Sequence, residues 1–139
     1  MNKSILIDSC FWFSLYDKRD RYHNKAIFLA ELIHGNNLLI PWPTLYETIN
    51  TRFSKNLVWL SGFESYIYKA DTFLINDLRY RENALSEIFG STRPLSLVDR
   101  VIRSILSDES LKIDYLLTFN TGDFIDLCNF RRIEILNGD

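Results

Sequence analysis

Short apolar runs alternate along this chain with segments that have helical periodicity. Residues 4–8 and 37–40 are apolar runs of the kind that forms buried strands, and the second run ends at Pro41. Between these runs, residues 21–33 place apolar side chains at helical spacing, and Gly35 is a typical helix stop. This half of the chain therefore predicts a strand-helix-strand crossover with two parallel, interior strands.

The same alternation continues to the end of the chain. Helices are predicted over residues 44–53, 57–70, 82–89, 97–106 and 121–127, and strands over residues 72–75, 113–118 and 133–136. This order of elements favours an α/β fold, and we expect a three-layer α/β/α sandwich around a mostly parallel sheet of about five strands. The length of 139 residues, without repeats or linker-like tracts, predicts a single domain over residues 1–139.

Composition limits the classes of protein to consider. An apolar fraction of 47% is sufficient for one buried core, and the net charge of −2 neither favours nor excludes a nucleic-acid partner. No apolar run approaches the ~20 residues of a membrane span, and the start of the chain lacks a signal-peptide hydrophobic region, so we expect no membrane association and a cytoplasmic protein. Cys10 and Cys128 are widely separated, which predicts reduced thiols rather than a disulfide or a zinc site.

Acidic residues stand just after a strand-like run or near the start of a predicted helix. They are Asp8, Glu47, Asp99 and Asp123. Because the carboxyl ends of parallel strands meet at one sheet edge, where open α/β sheets bind ligands, we expect these acids to share a pocket. Crowded carboxylates repel one another unless a hard cation holds them, and oxygen ligands suit Mg²⁺ or Mn²⁺. The pattern therefore favours a metal-dependent nuclease.

Helix capping is the alternative explanation for most of these acids. The spacing of a capping box occurs at Thr44 with Glu47, at Ser96 with Asp99 and at Asn120 with Asp123. Asp8 differs, because Phe11 stands three residues later and an aspartate that ends a buried strand needs a partner for its charge. For the other acids, both explanations stay open at the level of the sequence.

These stretches together resemble the PIN-domain family, small ribonucleases that include the VapC-type toxins of bacterial toxin–antitoxin pairs. The resemblance covers nearly the whole chain and is carried by ILIDS (5–9), DRYHNKA (20–26), PTLYE (43–47), LSLVD (95–99) and LLTFNTGDF (116–124). One departure stands at Asn120, where many members of the family have an aspartate.

The resemblance implies a set of site residues. The catalytic acids and metal ligands are then Asp8, Glu47, Asp99 and Asp123, with the amide oxygen of Asn120 as a further ligand. Ser9 and Thr118 are expected to support the acids. Arg100 and Arg103 share a helical turn with Asp99 and are candidate RNA contacts.

The resemblance also implies a reaction and partners. The expected activity is endoribonuclease cleavage by water, with Mg²⁺ or Mn²⁺ as cofactor, to leave 5′-phosphate and 3′-hydroxyl ends. The expected partners are an RNA substrate, an antitoxin that covers the acidic pocket, and a second copy in a homodimer. The main alternative is a PIN-fold module that binds RNA or a protein with weakened or absent catalysis, as Asn120 would then indicate. A haloacid-dehalogenase-type phosphatase is excluded, because Cys10 stands where its second acid is required.

Overall fold

The strands and helices of the protein follow the alternation expected from its sequence. The computed structural model describes residues 2–139. Its strands are β1 (Ser4–Ile7), β2 (Asn37–Pro41), β3 (Thr72–Ile75), β4 (Tyr115–Leu117) and β5 (Glu134–Leu136). Its helices are α1 (Ser9–Tyr16), α2 (His23–Leu32), α3 (Trp42–Thr48), α4 (Thr51–Ser54), α5 (Leu57–Ile67), α6 (Arg81–Gly90), α7 (Leu97–Ser107) and α8 (Ile125–Arg131), and a 3₁₀ turn spans Thr121–Asp123.

The strands form one sheet in the order β3-β2-β1-β4-β5, and every neighbouring pair is parallel. In the central strand, Leu6 lies opposite Leu39 of β2 on one side and Leu116 of β4 on the other. The chain builds outward from β1 through β2 to β3, then returns to the other side of β1 to add β4 and β5. The strand order therefore reverses at β1 and β4, and such a switch point is where ligands bind in open α/β sheets.

Helices cover both faces of the sheet, and β1 contributes to the core on each face. Ile5 and Ile7 belong to one hydrophobic core, which also contains Trp12 of α1, whereas Leu6 belongs to the other, with Ile102 of α7. Side chains of a strand point alternately to opposite faces, so a strand buried on both sides needs a continuous apolar run. The expected α/β/α sandwich is confirmed, and the sheet is entirely parallel.

Three helical segments differ from the sequence prediction. One is the helix expected over residues 121–127, where a 3₁₀ turn (Thr121–Asp123) is followed by α8 (Ile125–Arg131). Helix α1 was not predicted, because its side chains are buried around much of its circumference and show no one-sided periodicity. The single helix expected over residues 44–53 is two helices, α3 and α4. Asn50 begins the second of them, since its side chain accepts a hydrogen bond from the backbone N–H of Phe53 at 3.0 Å.

No helix found in residues 2–139 combines the length and the apolar character needed to cross a bilayer.

Candidate active site

Asp8 lies at the carboxyl end of β1, next to the switch point of the sheet. Its backbone N–H continues the β1–β4 pairing by donating to the carbonyl of Leu117 at 3.0 Å. The Asp8 side chain is 3% exposed, and Oδ1 accepts from the Ser9 N–H at 2.8 Å while Oδ2 accepts from the Thr118 hydroxyl at 2.9 Å. Asp8 is therefore the N-cap of α1, a structural role that the sequence analysis missed together with the helix itself.

Glu47 is brought to Asp8 through Ser9. The Ser9 hydroxyl donates to Glu47 Oε1 at 2.7 Å, so one serine contacts both acids. The capping explanation for Glu47 is wrong, because α3 has Pro41 at its N-cap and the Thr44 hydroxyl donates back to the Pro41 carbonyl. The carboxylate of Glu47 is thus free of any capping role and faces the end of β1.

Asp99 approaches the same edge from the first turn of α7. Here the capping explanation is confirmed, since the Ser96 hydroxyl accepts from the Asp99 N–H at 3.1 Å and the Ser96 N–H donates to Asp99 Oδ2 at 3.4 Å. The cap and a role in the pocket are compatible, because the charge of Asp99 also acts on Asp8 and Glu47.

The electrostatics of the edge show that Asp99 is close enough to oppose the ionisation of Asp8 and of Glu47. Burial, followed by the charges of Asp99 and Glu47, raises the pKa of Asp8 to about 6, against the opposing hydrogen bonds from Thr118 and Ser9. Burial and then the charge of Asp99 also raise the pKa of Glu47, although the Ser9 hydroxyl opposes this. Within residues 2–139, no ion pair with a basic side chain involves any of these acids.

The loop after β4 places the remaining predicted ligands differently. Thr118 is fully buried and contacts both Asp8 and the backbone N–H of Asn120, the latter at 3.0 Å. Asn120 caps no helix with its side chain, which is exposed. Asp123 is the last residue of the 3₁₀ turn, and its carbonyl accepts from Arg103 at 2.8 Å. Its side chain makes no hydrogen bond to Asp8, Glu47 or Asp99 in the described part of the chain. The roles of Asn120 and Asp123 as ligands stay predictions.

The two arginines expected to contact RNA lie on the side of α7 that faces α6 and α8. Arg103 forms a bidentate pair with Asp126, with both N–O distances 2.8 Å. Arg100 is 6% exposed and donates from Nη2 to the Arg93 carbonyl at 2.9 Å. Neither guanidinium points freely into solvent, so an RNA contact here would have to occur in a pocket rather than on an open surface.

Three neighbours of the site were missed from the sequence. Cys10 Sγ lies 3.6 Å from Asp8 Oδ2 and accepts from the Phe119 N–H at 3.4 Å, so it helps to tie α1 to the loop after β4. In that loop, the ring of Phe119 stacks on that of Tyr22, with centroids 4.6 Å apart and planes 6° apart. A prediction of α1 with Asp8 as its N-cap would have placed Cys10 in the first turn, beside Asp8. No sequence signal pairs Tyr22 with Phe119.

The donor set at this edge matches a hard divalent cation in chemistry and in charge. Carboxylates and hydroxyls are oxygen donors, and burial together with the charge of Asp99 raises the pKa of Asp8 and of Glu47, neither of which has a basic partner in the described chain. Within residues 2–139, however, no three acidic, histidine or cysteine side chains are close enough to one another to share one ion. The fit therefore rests on the donor type and the uncompensated charge.

An entirely parallel five-stranded sheet in this order, with helices on both faces, is a PIN-like fold, as the sequence resemblance predicted. Among solved structures, the chain is similar to VapC20 of Mycobacterium tuberculosis, a toxin that cleaves the sarcin-ricin loop, with a TM-score of 0.69 and 16% identity over 88% of this chain and 94% of that one. It is also similar to FitAcB of Neisseria gonorrhoeae, with a TM-score of 0.56 and 11% identity over 96% of this chain and 97% of that one.

At these identities the similarity concerns the fold. No protein-family model matches the sequence, and no curated protein matches it either. The PIN-like prediction is thus confirmed at the level of the structure alone.

Proposed function

We propose that this protein is an endoribonuclease that uses Mg²⁺ or Mn²⁺ and water to hydrolyse RNA phosphodiester bonds. One observation carries the proposal: Asp8 and Glu47, from separate parts of the chain, have pKa values raised by burial and by the charge of Asp99 at the switch point of the sheet, and none of these acids has a basic partner in residues 2–139. Structural acids are normally paired or exposed, so unpaired acids in a crevice indicate a functional site. The similarity to VapC20 in fold supports RNA as the substrate class.

The protein side of the mechanism follows from the hydrogen bonds at the site. Asp8, Glu47 and Asp99 would hold the divalent ion, which when bound lowers the pKa of a water ligand and stabilises negative charge on the phosphate. Thr118 and the Ser9 N–H fix both oxygens of Asp8, and the Ser9 hydroxyl orients Glu47. These contacts hold the carboxylates in place before substrate arrives, which lowers the reorganisation needed during the reaction.

The test is RNA cleavage by matched acid-to-amide variants. Asp8→Asn and Asp99→Asn should each lower the cleavage rate by at least about 100-fold, because each removes charge from the metal site. Asp71→Asn is the control, since Asp71 precedes β3 at the opposite edge of the sheet. Cleavage should need Mg²⁺ or Mn²⁺ and should leave 5′-phosphate ends. Equal activity of Asp8→Asn and Asp71→Asn would overturn the proposal.

We further propose that the protein is the toxin of a toxin–antitoxin pair. Aromatic side chains next to the acids support a covering partner: Tyr46, adjacent to Glu47, is 77% exposed, and Trp42 at the start of α3 is 41% exposed. Exposed apolar surface beside a catalytic pocket is typical of a protein-binding site. Expression should arrest growth, Asp8→Asn should not, and co-expression of an adjacent antitoxin gene should restore growth for the wild type but less for Tyr46→Asp. Harmless wild-type expression, with cleavage intact in vitro, would contradict the toxin assignment.

A binding module without catalysis is the second candidate. Two observations favour it: the amide of Asn120 stands where many PIN domains have a carboxylate, and the acids in the described part of the chain do not converge on one point. In that case the wild type would bind RNA but would not cut it with either metal ion, and Asn120→Asp would increase metal binding. Cleavage by the wild type would exclude this alternative.

A further inference from the structure

A cavity of about 570 Å³ lies between α6, α7 and α8, and its lining includes none of the acids Asp8, Glu47, Asp99 and Asp123. Its lining includes three basic side chains (Arg79, Arg100 and Arg103) and two acidic ones (Glu87 and Asp108), besides neutral polar groups. This volume is within the range of small-ligand sites, and several of its groups donate hydrogen bonds. The cavity is separate from the Asp8 pocket in its residues.

The charged groups around the cavity differ in how many of their hydrogen-bonding atoms have partners. Arg103 is neutralised by its bidentate pair with Asp126. Asp108 already accepts hydrogen bonds from the Tyr80 hydroxyl at 2.6 Å and from Ser110 at 2.6 Å and 2.9 Å, and Arg79 lies 3.6 Å from it. Each of these charged groups therefore has an opposite charge beside it or several hydrogen bonds.

Arg100 has an acidic neighbour too, but one of its donors has no hydrogen-bond partner in the described chain. Its side chain is 7% exposed, and Nη2 donates to the Arg93 carbonyl, but Nε has no hydrogen-bond partner in the described chain. Its acidic neighbour Glu87 is 3.8 Å from Nη1, beyond hydrogen-bond distance, and is 42% exposed. A buried guanidinium normally has its charge paired and its donors satisfied, because leaving them unpaired is costly. A buried arginine that lines a cavity in this state is prepared for an anion.

The position of Arg100 indicates which anion. It directly follows the proposed metal ligand Asp99, and Arg100, Arg103, Ser104 and Ser107 lie at helical spacing along one side of α7. This side extends roughly 10 Å from the acids, the length of about three stacked nucleotides. The acids at the sheet edge repel phosphates, so an RNA strand that reaches them needs positive charge nearby.

We propose that the α6–α7–α8 cavity is a phosphoryl-binding site centred on Arg100, and that it holds a backbone phosphate of the RNA strand beside the cleavage site. The choice of RNA rests on the proposed function. The same chemistry would accept a free nucleotide or inorganic phosphate, so the experiment distinguishes these sources. Arginine suits the site because its planar guanidinium binds phosphate oxygens in pairs.

The test measures binding of the full-length protein without divalent metal, so that no RNA is cut. The probes are a short labelled single-stranded RNA, inorganic phosphate and adenosine monophosphate. Arg100→Gln should weaken RNA binding by about tenfold or more and reduce the salt dependence by about one phosphate contact. Arg81→Gln is the matched control, because Arg81 begins α6, is exposed, and does not line the cavity. It should change binding by less than about twofold.

A second variant covers the case in which Arg100→Gln fails to fold. Ser104→Glu adds a negative charge at the cavity wall and should weaken the same binding while the helix persists. Loss of phosphate and nucleotide binding with unchanged RNA binding would support the site and assign it to a free phosphate ester. Wild-type binding of all three probes by folded Arg100→Gln, or by Ser104→Glu if the former does not fold, would overturn the inference. RNA binding that needs Arg100 in a protein that cuts no RNA would instead overturn the proposed function.

Discussion

The acids of this protein are treated in two ways, according to where they lie. Away from the sheet edge, hydrogen bonds stabilise the charge of two acids: those from Arg19 and Arg52 lower the pKa of Asp17 to about 2, and those from Ser110 and Tyr80 lower the pKa of Asp108 to about 2. At the carboxyl edge, burial and neighbouring acids raise the pKa of Asp8 to about 6. The same chain therefore stabilises carboxylates in one region and leaves them crowded in the other.

This contrast supports the function proposed for the edge. A fold that needed only stability would pair Asp8 with a basic side chain or replace it, as it pairs Asp17 with Arg52 at 2.7 Å. Retaining crowded acids costs stability, and such local conflicts are expected at functional sites. Measuring how the acids of each region change the free energy of unfolding tests this contrast.

The largest effect is expected from Asp8→Asn on the stability of the metal-free protein. Because folding raises the pKa of Asp8 from 3.8 to about 6, this residue lowers stability as pH rises through that interval and costs about 3 kcal/mol at most above it. The amide can still cap α1 but carries no charge. Urea denaturation near pH 8 should therefore show the variant to be more stable than the wild type, and the difference should vanish near pH 4.

Divalent ions provide the control for that measurement. Mn²⁺ should stabilise the wild type against heat more than it stabilises Asp8→Asn, since binding to the folded state alone raises its stability. Equal stability of the two metal-free proteins near pH 8 would remove the contrast between the two regions.

An intermediate effect is expected from Thr118→Val. The substitution keeps the shape of a fully buried side chain but removes the hydroxyl that donates to Asp8 Oδ2 at 2.9 Å. Loss of a hydrogen bond to a buried carboxylate should lower the free energy of unfolding by about 2 kcal/mol near neutral pH and raise the pKa of Asp8 further. Thr48→Val is the comparison, because Thr48 is equally buried but donates to a backbone carbonyl. A larger pH dependence for Thr48→Val than for Thr118→Val would contradict this assignment.

The smallest effect is expected from Asp126→Asn in the paired region. The Arg103 hydrogen bonds lower the pKa of Asp126 below its ordinary value of 3.8, so its stabilising contribution is present above that pH and is lost in acid. Asp126 is 51% exposed, which limits the loss near neutral pH to less than about 1 kcal/mol. Chemical denaturation should show this loss at neutral pH and a progressively smaller loss as the pH falls below 3.8. A stabilising effect of Asp126→Asn at neutral pH would make the two regions alike.

Much of the fold was predictable because buried parallel strands are continuous apolar runs. The strand predicted over residues 72–75 coincides with β3, and the Ser96–Asp99 cap marks the start of α7 as expected. Helix α1 was not predictable by periodicity, because Phe11 and Trp12 are both fully buried and the helix has no polar stripe. That omission also hid the N-cap role of Asp8.

The site was predictable only in part. The structure places Asp8, Glu47 and Asp99 near one edge of the sheet, whereas their role as metal ligands stays a prediction. The link through Ser9 depends on α1 and α3 packing side by side, which no local signal encodes. Asp123 is held on the α7–α8 side through its carbonyl. The distance between Thr118 and Asp123 along the sequence cannot distinguish that arrangement from a ligand in the pocket.

The position of Asp8 is fixed by the packing of β1 against the cores on both faces of the sheet. Because Ile5 and Ile7 fill one core and Leu6 fills the other, sliding this strand by a single residue would turn every one of these side chains toward the wrong layer. The packing of β1 in both cores thus fixes the position of the Asp8 carboxylate along the strand direction. A substitution can remove the Asp8 carboxylate while the fold survives. A shift of the residue along the strand, by contrast, would disrupt both cores.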